Sequence, residues 1–145
     1  MKLPLLALAA VCAALATATP AAAQIDGAVK MQLDSAVSMF RGQGFDLQGA
    51  YRSGSLADGA EAIVSLELEG GRSYLIVGVC DTDCSDLDFS LADASGTEVD
   101  NDYELDDVPM VTVEVARAAT YRLTVGMATC SVEPCGYGVA VFAQR

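Results

Sequence analysis

"EAIVSLELEGGRSYLIVGVC", residues 61–80, sets the period on which most of this chain is built. In its first half Ala62, Val64, Leu66 and Leu68 fall on one face, the two-residue repeat of a strand with one side against a core. In the second half, "RSYLIVGVC", both faces are apolar, which predicts a central strand covered from both sides. Gly70-Gly71 between them is a two-residue loop suited to a primed hairpin turn, so the two halves are expected to pair. The same alternation returns in "DLDFSLAD", where Leu87, Phe89 and Leu91 point inward and Asp86, Asp88 and Ser90 outward. It returns through Val111, Val113 and Val115, through Tyr121, Leu123, Val125 and Met127, and through Tyr137, Val139 and Val141. Turn signals separate these runs: "DASG" from Asp93 to Gly96, and "DDVP" closing on Pro109. With "FDLQGAYRSG" near the start, this predicts an all-β jelly-roll or Greek-key sandwich of seven to eight antiparallel strands.

Upstream the period changes. From Ile25 to Gly42 the apolar residues Val29, Leu33, Ala36, Val37 and Phe40 recur at steps of three and four, the stripe of an amphipathic helix. Lys30, Gln32, Asp34 and Ser38 occupy its other faces, Asp26 is the expected N-cap, and Gly42 or Gly44 the stop. Met31 and Met39 lie off the main stripe and suit an adaptable contact surface. The helix is expected to cover one end of the sandwich, or else to dock a partner or a second copy. Before it, Lys2, the apolar run from Leu3 to Leu15 and Ala21-Ala22-Ala23 have the layout of a secretory leader cleaved after Ala23. The expected organisation is therefore a leader over residues 1–23, the helix within 24–44 and one sandwich domain over 45–145. No later run approaches the roughly 18 apolar residues of a transmembrane helix, so a soluble mature chain is expected, and the leader implies that it resides in the periplasm or outside the cell.

Composition narrows the function classes. The chain has 20 Asp and Glu against 8 Lys and Arg, a net charge of −12. Nucleic acid and anionic membranes are poor partners for such a surface, because both need cationic patches. There is no histidine and no tryptophan, which removes Ser-His-Asp and Cys-His nucleophilic sites and histidine-bound zinc. Once Cys12 leaves with the leader, Cys80, Cys84, Cys130 and Cys135 remain, an even set that reads as two disulfides in an exported chain. Of three connectivities, close spacing favours Cys80–Cys84 and Cys130–Cys135. "CDTDC" must then turn sharply, since four extended residues cover about 13 Å and a disulfide needs its Cα atoms within about 7 Å.

The succession "SGSLADG", "VSLELEGGRSYLI", "SDLDFSLADASGTEV", "TVEVARAATYRLTVGM" and "CGYGVAVF" resembles the bacterial pre-peptidase C-terminal domain in a stand-alone secreted form. The run from Asp86 to Gly96 and the aromatic strand "TYRLTV" carry the likeness, which spans about Ser53 to Phe142. That family is a small jelly-roll-like sandwich borne by secreted proteases and related to collagen-binding domains. The resemblance implies an accessory, non-catalytic role, and calcium binding as in those relatives, whose ligands have no residue-by-residue counterpart here. The cysteine pairs, the N-terminal helix and the lack of a catalytic domain depart from the family's usual form.

Residues 80–107 hold eleven Asp and Glu and no Lys or Arg. Asp81, Asp83, Asp86 and Asp88 are the candidate calcium ligands, because a hard cation takes roughly six to eight oxygens. Asp100, Asn101 and Asp102 form a second candidate group. The plainer reading makes Asp86 and Asp88 the wet face of a strand and the rest turn residues, and a third makes the stretch a surface for a basic partner. Asp86 and Asp88 also have about the separation of a glycosidase carboxylate pair, although no tryptophan platform accompanies them. The sequence thus predicts an exported, non-catalytic binding or accessory module for a protein or polymer, with a calcium-ordered variant. A structural or stress-tolerance envelope protein is the alternative, ahead of a carboxylate-based hydrolase.

Overall fold

A computed structural model describes residues 25–145, so the expected leader over residues 1–23 lies outside the described residues. One helix, α1 (Gly27–Gly42), precedes two antiparallel sheets. The first sheet contains β1 (Phe45–Leu47), β2 (Arg52–Leu56), β4 (Arg72–Cys80), β7 (Met110–Val115) and β9 (Cys135–Gln144). The second contains β3 (Glu61–Leu68), β5 (Cys84–Ala92), β6 (Glu98–Asp102) and β8 (Ala119–Cys130). The first runs β1-β9-β4-β7, with β2 beside β1 on the same edge of β9, and the second runs β3-β8-β5-β6. Inward residues of both sheets, including Ile76, Val139 and Val141 from one and Leu87, Phe89, Leu123 and Met127 from the other, form the main core.

The helix covers a face of the sandwich, not an end as expected. Val29, Leu33 and Ala36 pack on Leu75, Val77 and Val79 of β4 and on Ala140 and Phe142 of β9, making a second core outside the first sheet. This is why β4 is apolar on both faces: Tyr74 and Ile76 look into the sandwich while Leu75 and Val77 look at the helix. Burying Val29 and Leu33 stabilises the docked helix by roughly 1.5–3 kcal/mol each. Close approach depends on Gly138, where a Cβ would lie 2.7 Å from Val29 Cγ1 and 2.8 Å from Leu33 Cδ1. The helix starts where expected, with Asp26 Oδ1 accepting from the amides of Ala28 at 2.8 Å and Val29 at 3.3 Å. Along its length Asp34 pairs with Lys30 and accepts from the Tyr51 hydroxyl at 2.8 Å, which ties the helix to the segment between β1 and β2.

Gly70-Gly71 does not make a hairpin. β3 pairs with β8 in the second sheet, whereas β4 lies between β9 and β7 in the first. The turn therefore carries the chain from one sheet to the other. Gly71, at φ +76°, donates to Val115 O at 2.6 Å, and a Cβ on Gly70 would meet the Ala118 nitrogen at 2.8 Å. Two glycines serve such an arch as well as a hairpin, because both need positive φ or close backbone approach. A central β4 has no edge left to offer β3. "DASG" does form a hairpin, between β5 and β6, closed by Gly96 N to Asp93 O at 3.0 Å.

Nine strands occur among the described residues, against seven to eight expected. "FDLQGAYRSG" breaks at Gly49, φ +70°, into β1 and β2, which pair with opposite ends of β9. β6, "EVDND", carries no apolar alternation and left no period to read. Cys80 is bonded to Cys84 and Cys130 to Cys135, each with Cα atoms 5.9 Å apart. Cys84 stands opposite Cys130 in the β5–β8 register, so both disulfides lie together at one end of the sandwich.

Candidate functional site

α1 lies over β9 and β4 and leaves the outer face of the first sheet open toward β7. The result is a groove of about 540 Å³ between the helix and the sheet edge. Met31, Met39 and Phe40 line it from the helix, and Val77, Val79, Val108 and Met110 from the sheet side. Met31 is 66% exposed, Met39 59% and Met110 47%, so three flexible thioether side chains stand in solvent around an apolar floor. The polar residues on the helix wall are already satisfied. Gln32 Nε2 donates to Cys80 O at 2.7 Å and fixes the helix to the end of β4, while Ser35 Oγ donates to Met31 O at 2.9 Å.

Met31 and Met39 thus stand where their off-stripe positions suggested. Met110 and Val108 were missed. The signal for Met110 was parity: in "MVTVEV" the inward set is Val111, Val113 and Val115, which leaves an apolar methionine on the wet side.

One end of the groove adjoins the loop between β6 and β7. There Val108 follows Glu104, Leu105, Asp106 and Asp107, with Leu105 90% exposed. Asp106 Oδ1 accepts from the Val108 amide at 2.9 Å and Asp102 Oδ1 from the Glu104 amide at 3.2 Å, which shapes the loop.

The four aspartates named as calcium candidates are divided between two tasks. Asp81 Oδ2 accepts from the Gly136 amide at 2.5 Å and its Oδ1 from the Asp83 amide at 3.2 Å, building the turn inside the Cys80–Cys84 disulfide. The carbonyl of Asp83 accepts from the amide and hydroxyl of Ser131, joining the two disulfide loops. Asp86 and Asp88 stand half-buried on the outer face of β5, with Leu87 and Phe89 inward. Asp86 Oδ1 is buried without a hydrogen-bond partner. Desolvation, then the charge of Asp106, pushes the Asp86 carboxyl above its ordinary range. Desolvation, then Asp86, Asp102 and Glu61, does the same to Asp88.

The second candidate group serves the edge of β7. Asp100 Oδ2 accepts from the Thr112 amide at 2.7 Å and Asp102 Oδ2 from the Met110 amide at 2.8 Å, while Asn101 bonds to Glu98. Among the described residues, no group of three or more Cys, Asp or Glu side chains comes together to hold a metal ion. Asp86 and Asp88 do not line the groove.

No family model matches this sequence, and no curated protein matches it to a significant degree. Among solved structures, the chain is similar to PliG from Aeromonas hydrophila, described as a periplasmic inhibitor of g-type lysozyme. The two share 14% identity at a TM-score of 0.47, over 66% of this chain and 85% of that one. At that score the likeness bears on neither ligand nor activity.

Proposed function

We propose that this chain is an exported binding module, without a catalytic centre, that takes a protein partner into the groove between α1 and β7. The observation that carries the reading is the set of three exposed methionines, Met31, Met39 and Met110, around an apolar floor. Scattered exposed apolar residues are ordinary on a soluble protein, but a contiguous rimmed patch marks an interaction surface. Methionine is also the side chain that repacks most readily against a varied partner. Two adjacent disulfides support residence in an oxidising compartment. The strand order supports a jelly-roll: β2-β9-β4-β7 facing β3-β8-β5-β6 is the succession of two interleaved Greek keys, with α1 and β1 added. Kinship with the pre-peptidase C-terminal domain is proposed on the same ground.

Photoreactive methionine analogues test the groove directly. Placed at Met31, Met39 or Met110 in the cells that make the protein, they should trap one and the same protein. The same probe at Ile63, exposed on β3 away from the groove, should trap nothing. Adducts of equal yield from Ile63, or none from the three methionines, would sink the reading.

A further inference from the structure

We infer that the groove's occupant is a cationic amphipathic segment of another protein, an inference that rests on the groove being the binding site. The floor and the methionine rim ask for an apolar face. The charge comes from the loop beside the groove, where Asp106 Oδ1 lies 2.9 Å from the amide of Val108, a residue that lines it, with Asp107 and Glu104 nearby in sequence. Leu105, between those acids in sequence, is almost wholly exposed. The acids belong to a stretch, residues 80–107, that holds eleven carboxylates and no base, on a chain of net charge −12. Their field extends about 8 Å into physiological salt and favours a segment that presents lysine or arginine beside its apolar face. A second copy of this chain is disfavoured by the same field, because it would bring an identical acidic loop to the contact.

The probe is an amphipathic peptide of about 18 residues, leucine on one face and lysine on the other, carrying a fluorophore. A companion peptide has glutamate at every lysine. With the exported protein, the lysine peptide should bind and the glutamate peptide should bind at least about tenfold more weakly. Met39→Gln with Met110→Gln should weaken the lysine peptide by about tenfold or more, as should Glu104→Gln with Asp106→Asn and Asp107→Asn. Only the second set should flatten the dependence on salt. Equal binding of the two peptides overturns the inference, as does binding indifferent to both sets of substitutions. Sedimentation that shows a dimer abolished by Met39→Gln with Met110→Gln assigns the groove to a second copy and overturns it too. Photocrosslinks from the three methionines to residues 1–23 of the same chain assign the groove to the chain's own leader segment, with the same result. The photocrosslinks separate this inference from the reading beneath it: a trapped protein whose crosslinked segment lacks basic residues leaves the groove as the site and removes the cationic partner.

Discussion

At Gly138 the helix and the sheet come within contact of each other, and the missing side chain is what lets them. Val29 and Leu33 are almost fully buried there, so neither has room to swing aside for a new methyl group. Gly138→Ala is therefore expected to lift α1 and cost about 1–3 kcal/mol, read as a lower melting temperature. A melting temperature equal to wild type would mean that the helix docks more loosely than these contacts require. Asp86 is the opposite kind of residue, one whose replacement helps. Its folded carboxyl is raised above its unfolded value, so the folded state holds the proton more tightly. Stability from this group falls as pH rises from the ordinary carboxylate range through the raised folded value, and at neutral pH the buried charge is a cost. Asp86→Asn should stabilise the protein at pH 7, with the gain shrinking toward pH 3. Urea titrations of both proteins at the two pH values measure the difference. A constant gain across pH would show that burial of the charge is not the cause.

At the level of elements, the edge of β7 explains much of the acidity. An open edge offers unpaired amides to any passing strand, and here the Met110 and Thr112 amides are occupied by Asp102 and Asp100. Replacing both aspartates with alanine should leave the fold in place and produce concentration-dependent self-association, visible by light scattering. A strictly monomeric double variant would show that the β6–β7 contact alone closes the edge. The same pair shows what a sequence leaves undetermined. Asp100 and Asp102 look alike on the page whether they ligate a cation, face water or cap a backbone amide, because the choice depends on which strand lies beside them. β3, β5, β7, β8 and β9 were legible from the period of two, and α1 from the period of three to four, since each buries one continuous face. β6 was not, because its partners supply the order that its own residues do not. Gly70-Gly71 suits an arch as well as a hairpin, and the apolarity of "RSYLIVGVC" on both faces requires cover above and below β4 without saying which strands flank it. The groove was half legible: Met31 and Met39 stood off the helical stripe, whereas Val108 joined them only through the turn that the fold gives its loop.

Over the whole molecule, the two disulfides act at one end, beside the point where Gln32 holds the helix to Cys80. Each closes a loop of only a few residues, so each is expected to contribute roughly 2 kcal/mol. Reduction should lower the urea midpoint accordingly, and should also weaken partner binding under conditions where the protein is still folded, because the carbonyl that anchors the helix sits in the Cys80–Cys84 turn. Binding unchanged in reduced, folded protein would place the groove's rigidity elsewhere.

β9 receives β1 and β2 along one edge and β4 along the other, and α1 lies across its outer face. Synthesis delivers a chain from its N-terminal end, and β9 is the last of the described strands to arrive. Until it does, the first two strands have no partner strand and the helix has only part of its seat, the outer face of β4, so this side of the first sheet is completed last. The fold behaves as a clasp that can be fastened only by its final piece.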